Sequence, residues 1–355
     1  MQGFAPLSER YSGKRVLVTG GLGFIGSNLV RRLVRTGASV TVIDACFPDQ
    51  GANLFNLKGI LDEVALVIAD VGRVDDISAY MVDQDYVFNL AACISHVGSL
   101  RDPLRDLERN CVSQLRFLGA LTELSPGARV LYTGSRSQYG SPSYLPMDEE
   151  HPMKPVDFNG VHKTAVEEYH RILHGLGKLR YTSLRLTNIY GPRHQMHHDG
   201  QGFLNWFIRQ ALAGQEICVY GDGAQKRDFL YVDDAVEAIL LAASDPRCEG
   251  EAFNLASGVP TSVKEAAETI CGLAGNSCRC VPYPPEAVAV EPGDMHLDGS
   301  RLQKLLDWRP RVGLEEGIAR TLAFYRRYGS RYFHEGRGRV ALEASTLGLG
   351  ASSEK

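Results

Sequence analysis

The chain has 355 residues, and 44% of them are hydrophobic, which is enough for one large domain or two modest ones with a buried core. The formal net charge of -4 gives no basis for binding nucleic acid or an anionic membrane surface. The first twelve residues lack the apolar core of a signal peptide, and no later window is long and apolar enough to cross a bilayer. We therefore expect a soluble cytoplasmic protein.

The eight cysteines predict neither disulfides nor a metal site. Six are scattered singly, several of them within apolar runs, as is typical of reduced cysteines that act as small hydrophobic residues: Cys46, Cys93, Cys111, Cys218, Cys248 and Cys271. Cys278 and Cys280 are close together, but no second pair of Cys or His lies nearby to complete a zinc site.

The first motif in chain order is a short apolar run followed by glycines at Gly20, Gly23 and Gly26. This spacing predicts a strand, a tight turn and a helix, in which the glycines allow the turn, the approach of a pyrophosphate and close packing of helix on strand. A second strand follows and ends at Asp44. Because a carboxylate there would accept hydrogen bonds from ribose hydroxyls and repel a 2′-phosphate, the pattern favours NAD over NADP.

Strand-like and helical runs alternate from residue 14 to about residue 187. The strand-like runs are 16–18, 40–43, 65–68, 86–90, 129–132 and 182–186, and the helical ones include 27–36, 74–82, 108–124 and 163–174. This alternation predicts right-handed βαβ crossovers and a parallel sheet. The predicted fold is α/β, a Rossmann-type doubly wound parallel sheet with a smaller mixed α/β C-terminal substrate domain.

Changes in composition and in the alternation of predicted strands and helices divide the sequence into four segments. Residues 1–13 form an N-terminal extension, 14–190 the NAD-binding domain, and 191–330 mainly the substrate-binding domain, with some elements returning to the first domain. Residues 331–355 are rich in small residues without buried periodicity, so we expect them to be disordered.

The motifs together resemble the extended short-chain dehydrogenases/reductases, which include NAD-dependent nucleotide-sugar epimerases, dehydratases and decarboxylases. The resemblance spans about residues 14–328. It depends on TGGLGFIG at 19–26, Asp44, ADV at 69–71, NLAA at 89–92, Asn110, Ser135 followed by Tyr139-Gly140, Lys163, RLTNIYGP at 185–192, YGDG at 220–223, RDFLYVDD at 227–234 and LDWRP at 306–310.

This resemblance implies two sets of binding residues and a homodimer. The cofactor set is Gly20, Gly23, Phe24, Ile25, Gly26, Asp44, Asp70, Val71, Leu90, Ala91, Ala92, Asn110 and Lys163, with Lys163 on the nicotinamide ribose. The substrate set is His96, Arg136, Asn188, Arg193, Tyr220, Arg227 and Arg301, with Asn188 and Arg227 on the nucleotide diphosphate. The helical stretches 108–124 and 163–174 resemble those through which the family dimerises.

The sequence departs from the family at its catalytic Tyr-x-x-x-Lys pair, because the residue four before Lys163 is Asn159. Shifting the alignment by one residue places Phe158 there, which has no proton chemistry either. Another group could serve as base, with His162, Tyr139, His96 and Tyr144 as candidates, although a helical position turns His162 about 100° from Lys163 and also suits a surface histidine. Alternatively, substrate or water removes the proton, or no proton is removed. The predicted catalytic residues are Ser135, Asn159, Lys163, His162 and Tyr139.

A second departure is Glu291, where family members often have an arginine before Pro-Gly-Asp. A carboxylate repels a diphosphate. Either Arg301 or Arg193 supplies the missing charge, or the substrate is not an ordinary nucleotide sugar.

We therefore expect an NAD-dependent nucleotide-sugar epimerase with an atypical site. The residues after Ser135 are Arg136 and Ser137, rather than the acids of dehydratases, which disfavours the usual dehydration. The alternatives are a sugar decarboxylase, dehydrogenase or dehydratase with a base other than tyrosine, and a catalytically silent NAD-binding protein.

Overall fold

The computed structural model describes residues 6–47, 50–198, 200–283 and 291–333. The strands within these ranges are β1 (Arg15–Thr19), β2 (Ser39–Asp44), β3 (Val64–Ile68), β4 (Tyr86–Asn89), β5 (Arg129–Ser135), β6 (Arg180–Leu186), β7 (Asn188–Tyr190), β8 (Ile217–Tyr220), β9 (Lys226–Tyr231), β10 (Ala252–Leu255), β11 (Pro260–Ser262) and β12 (Cys278–Val281). The helices are α1 (Leu7–Tyr11), α2 (Phe24–Arg35), α3 (Val74–Ile77), α4 (His96–Arg101), α5 (Pro103–Leu107), α6 (Ser113–Leu124), α7 (Phe158–Gly175), α8 (Phe203–Leu212), α9 (Val232–Ser244), α10 (Val263–Ala274), α11 (Ser300–Leu306) and α12 (Leu314–Tyr328).

A seven-stranded sheet with the order β10-β6-β5-β4-β1-β2-β3 forms the centre, and all its neighbouring strands are parallel. The strand order reverses between β1 and β4. In such sheets the crevice at the carboxyl ends beside this point takes the ligand. The predicted fold class is confirmed.

The two faces of the sheet are covered by different helices because alternate residues of a strand point to opposite sides. Val16 and Val18 of β1 pack in a core with α2 and α9, whereas Leu17 packs on the other side with residues of α6 such as Phe117. Buried apolar strands of this kind explain why the sequence shows continuous runs rather than alternation.

A second core holds the smaller part together. Residues of α8, α10 and α12, among them Ile208, Ile270 and Leu322, pack with β8 and β9. The sheets here are β11-β9-β7 and β12-β8. By contrast, β10 and α9, from the same stretch of sequence, join the central sheet.

Several element boundaries differ from the sequence prediction. The helix predicted over 163–174 begins earlier, at Phe158, because the side chain of Asp157 caps it by accepting a hydrogen bond from Gly160 N at 2.7 Å. The helix predicted over 74–82 continues past Ile77 only as a 3₁₀ turn. The strand Ala252–Leu255 was not predicted.

Both ends of the described chain pack on the fold. Tyr11 of α1 is buried, and its hydroxyl donates to Leu240 O at 2.7 Å. Within the segment predicted to be disordered, residues 331–333 are described: Tyr332 is buried and donates to Asn56 Oδ1 at 2.7 Å. Residues 334–355 lie outside the described residues. None of the described helices is long and apolar enough to cross a membrane.

Candidate active site

A cavity of about 340 Å³ opens where the central strands end. Its wall includes Gly20 after β1, Asp44 at the end of β2, Ala91 after β4 and Ser135 at the end of β5. Because parallel strands bring their carboxyl ends to one edge, residues far apart in sequence face one space.

The glycine turn at the amino end of α2 is shaped by close backbone contacts. A Cβ on Gly26 would lie 2.2 Å from Gly20 O, and Gly20 itself has φ of +72° with Ala91 directly against it. A Cβ on Gly23 would meet only Gly20 O, at 3.3 Å. Gly23 also precedes α2 without any side-chain cap. The first N–H groups of the helix are therefore available to an anion, as in pyrophosphate sites.

The carboxylate of Asp44 connects this turn to β2. Its Oδ2 accepts from Leu22 N at 3.0 Å and its Oδ1 from Cys46 N at 2.9 Å. Burial raises the pKa of Asp44, while these two hydrogen bonds lower it. An oriented acid beside a glycine turn fits an adenosine ribose, and the residues present therefore fit a dinucleotide.

The cofactor set predicted from sequence lines this cavity with one exception. Its members on the wall are Gly20, Gly23, Phe24, Ile25, Gly26, Asp44, Asp70, Val71, Leu90, Ala91, Ala92 and Lys163. Asn110 is the exception. It lies behind the wall, where its Oδ1 accepts from Cys93 N at 2.8 Å and its Nδ2 donates to Cys93 O at 2.9 Å. Asn110 therefore positions Cys93, which does line the cavity.

Asn159 and Lys163 line the opposite end, one helical turn apart on α7. Asn159 Nδ2 donates to Cys93 O at 2.6 Å, so it shares that acceptor with Asn110. Lys163 Nζ donates to Thr133 O at 2.9 Å and lies 5.2 Å from the ring of Tyr132.

The ammonium of Lys163 is strongly desolvated. Burial lowers its pKa to about 8, whereas the nearby charges of Asp106 and Cys93 act in the opposite direction. Lys163 therefore loses its proton far more readily than an exposed lysine.

Ser135 ends β5 and caps the short 3₁₀ turn that follows. Its Oγ accepts from Ser137 N at 3.2 Å and from Ser137 Oγ at 3.0 Å. Both contacts use lone pairs of Ser135 Oγ, so its own O–H can donate to a ligand in the cavity.

Comparisons with known proteins agree with this geometry. Residues 16–256 match the NAD dependent epimerase/dehydratase family. The chain is 35% identical over 319 residues to a UDP-glucose 4-epimerase of Mycolicibacterium smegmatis, which covers 88% of this chain and 98% of the relative. A UDP-N-acetyl-alpha-D-glucosaminuronate decarboxylase of Bacillus cytotoxicus is 32% identical, with coverage of 88% and 98%.

A crystal structure of UDP-glucose 4-epimerase with UDP-glucose from Thermotoga maritima superposes with a TM-score of 0.80. It is 30% identical and covers 88% of this chain and 99% of its own. The chain belongs to the NAD-dependent epimerase/dehydratase family. It is therefore an enzyme of that family with NAD as its cofactor, as the sequence predicts.

Three of the residues that the sequence analysis offers as alternative bases do not line the cavity: His162, Tyr139 and Tyr144. His162 is buried rather than on the surface, with Nδ1 2.6 Å from Asp106 Oδ2. The hydroxyl of Tyr139 donates to Asn254 Oδ1 at 2.7 Å and accepts from Arg185 Nη1 at 2.8 Å. Tyr144 is exposed and donates to Asp148. In each case the polar atom is directed to a partner away from the cavity wall.

Two of the predicted substrate residues, Arg136 and Asn188, line the cavity. Asn188 Nδ2 donates to Asp228 O at 2.9 Å. Arg227 lies close behind and is buried, with Nη2 2.6 Å from Glu291 Oε1 and Nη1 donating to Gly293 O at 2.5 Å. The unexpected glutamate therefore neutralises the arginine that the resemblance assigns to the diphosphate.

The remaining predicted substrate residues do not line the cavity in the described part of the structure. Arg193 donates to Asn28 Oδ1 at 2.7 Å, and Arg301 pairs with Glu251 at 2.6 Å. The exposed ring of Tyr220 packs at a tilt against that of Tyr283. Arg193 and Arg301 each have these partners and neither lines the cavity, so their predicted contact with a diphosphate stays a prediction. The side chain of His96 lies outside the described part of the structure.

The sequence prediction missed several wall residues. Among them are Phe47, Gln50 and Gly51 after β2, Cys93 and Arg109 on either side of α4 and α5, and 200–205 at the start of α8. The loop after Asp44 could have been suspected, since it follows a predicted strand at the ligand edge of the sheet. Among the described residues, no group of three or more His, Cys, Asp or Glu could hold a metal ion.

Proposed function

We propose that the protein is an NAD-dependent epimerase of a UDP-linked sugar. The observation that supports this best is that one continuous cavity is lined both by the glycine turn and Asp44 and by Ser135 and Lys163. The two 4-epimerases among the compared relatives support the reaction class. In this proposal NAD, when bound, supplies a reversible hydride acceptor.

The chain itself must move the proton of the reacting sugar hydroxyl. We infer that Asn159 stands where the family has its catalytic tyrosine, and an amide cannot accept that proton. Lys163 lines the cavity one helical turn from Asn159, and its pKa is about 8. In the proposed mechanism neutral Lys163 takes the hydroxyl proton and returns it after the configuration changes.

Ser135 and Asn159 have supporting roles in this mechanism. The available O–H of Ser135 hydrogen-bonds the reacting oxygen, which stabilises the charge that develops when the proton leaves. Asn159 fixes the wall through Cys93 O and takes no part in proton transfer.

Product analysis on purified protein tests the proposal. The protein is first denatured and the released NAD(H) is measured, and it is then incubated with UDP-glucose, UDP-N-acetylglucosamine and UDP-glucuronate. We expect bound NAD(H) and a product of unchanged mass with one inverted carbon. A product lacking carbon dioxide or water would instead establish a decarboxylase or a dehydratase, and NAD(H) with no product would support a silent NAD-binding protein.

We also propose a homodimer built on α5, α6 and α7. These helices expose the apolar side chains of Leu104, Leu107, Leu115, Val161 and Ile172, and an apolar surface of this kind suits a self-complementary interface. Size-exclusion chromatography with light scattering should give a molar mass of twice the chain mass of 39.0 kDa. A cytoplasmic location stays a prediction from the sequence.

A further inference from the structure

Arg136 lies on the cavity wall and has no carboxylate partner among the described residues. It directly follows Ser135, and both residues line the end of the cavity that contains Lys163 and Asn159. No described carboxylate lies within ion-pair distance of its guanidinium. Its Nη1 contacts the sulfur of Met295, which is only a weak acceptor.

The contrast with Arg227 is informative because the two guanidinium groups are neighbours. Arg227 has its charge balanced by Glu291 at 2.6 Å and donates to two backbone carbonyls as well. Arg136 experiences Glu291 and Asp157 only as more distant charges, and its pKa falls to about 10 because burial and then Arg227 disfavour its charged form.

A half-buried arginine on a cavity wall loses part of its hydration, which an anionic partner replaces with charged hydrogen bonds. Because the described protein groups do not provide one, an anionic ligand is the natural partner. The planar guanidinium suits the two oxygens of a carboxylate.

We propose that Arg136 binds a carboxylate on the sugar itself, so that the preferred substrate is a nucleotide-linked uronic acid. This rests on the proposed function and names its substrate class. The position favours the sugar over the diphosphate, because Arg136 adjoins Ser135 at the end of the cavity that contains Lys163. Glu291 and Arg227 form a balanced pair beside it, whereas Arg136 lines the cavity next to Ser135 with no described carboxylate to balance its charge.

Binding measurements on the NAD-loaded enzyme separate the sugar from the diphosphate. Titration calorimetry would compare UDP, UDP-glucose and UDP-glucuronate on the wild type, on Arg136→Met and on Arg136→Lys. We expect the wild type to bind UDP-glucuronate about tenfold more tightly than UDP-glucose, as for a charge-assisted pair. Arg136→Met should abolish this preference with little change for UDP, and Arg136→Lys should retain part of it.

Arg279→Met is the matched control, because Arg279 is exposed on β12 and pairs with Glu216 at 2.7 Å. It should leave all three affinities unchanged. Equal affinity of the wild type for UDP-glucose and UDP-glucuronate would overturn the inference while leaving the epimerase proposal intact. Parallel loss of UDP affinity in Arg136→Met would also overturn it, since the arginine would then bind the diphosphate. Failure of NAD-loaded wild type to bind any of the three ligands would reject both proposals.

Discussion

The two ends of the cavity are built in different ways. At the cofactor end, a contiguous turn and the ends of β1 and β2 form the wall, and its contacts are mostly between backbone atoms and one acid, Asp44. At the substrate end, side chains from distant segments form the wall and the layer behind it. In the wall, Asn159 bonds Cys93 and Lys163 bonds Thr133, and behind it Arg227 pairs with Glu291.

This difference shows which end can change without loss of the fold. The backbone contacts at Gly26 leave no room for an added Cβ, whereas a substrate-end pair can be replaced by another pair of similar charge. The presence of Glu291 and Asn159 at the substrate end, beside an intact glycine turn, is consistent with a fixed cofactor and an altered substrate or proton route.

The largest expected effect is at Lys163. Lys163→Arg keeps the positive charge and the ability to bind a ribose, but an arginine cannot lose its proton near neutral pH. We expect bound NAD(H) to remain and turnover to fall by about 10²- to 10⁴-fold, the usual range for loss of a general base. Retained turnover in this variant would rule out Lys163 as the base.

The pH profile of the wild type tests the same role. Since the neutral amine is the active form, turnover should be low under acidic conditions, rise as pH passes about 8 and then level off. Asp106 and Cys93 oppose the fall in the pKa of Lys163, so neutralising Asp106 should move the rise to lower pH. A profile that is flat from pH 6 to 9, measured at saturating substrate, contradicts the assignment.

Two glycine substitutions test whether the cofactor end is as rigid as its contacts indicate. Gly26→Ala places a Cβ 2.2 Å from Gly20 O, so it should destabilise the protein by about 1–3 kcal/mol and abolish NAD binding. Gly23→Ala meets only one atom, at 3.3 Å, and should leave the melting temperature without NAD unchanged while weakening NAD binding about tenfold. Similar melting temperatures for both variants would show that the backbone of the turn can shift to accommodate a Cβ at Gly26, which contradicts its expected rigidity.

A smaller change is expected when Glu291→Gln releases Arg227. Without the neighbouring carboxylate, the diphosphate of UDP should bind about three- to tenfold more tightly, because a repulsive charge is removed and Arg227 can turn to the ligand. Adding Arg227→Met to Glu291→Gln should cancel the gain. Weaker UDP binding in the single variant would mean that Glu291 holds Arg227 in its binding position.

The smallest effect is expected for Asn159→Ala. Cys93 O keeps the hydrogen bond from Asn110 Nδ2 at 2.9 Å, so we expect a loss of about 1 kcal/mol in the free energy of unfolding and little change in turnover. Asn110→Ala should be more damaging, because Asn110 bonds both Cys93 N and Cys93 O. A loss of turnover in Asn159→Ala as large as that in Lys163→Arg would place the amide in the chemistry.

The sequence by itself was sufficient for the fold class, for NAD and for most of the cofactor wall. These features depend on local signals: glycine spacing at 20–26, an acid directly after a strand at Asp44, and apolar runs alternating with helices. Each signal lies within a few residues of the structure it specifies, and the regular geometry of a parallel sheet then places the strand ends together.

Only the tertiary structure decided which polar groups are partners at the substrate end. Asn159 meets Cys93 across 66 positions of sequence, Arg227 meets Glu291 across 64, and His162 meets Asp106 across 56. Composition and spacing predict that such residues are polar, but not which of several arginines faces a given carboxylate. That choice depends on packing and desolvation in the folded chain, which give Arg193, Arg227 and Arg301 hydrogen-bond or ion-pair partners within the protein and place Arg136 on the cavity wall without a described carboxylate partner.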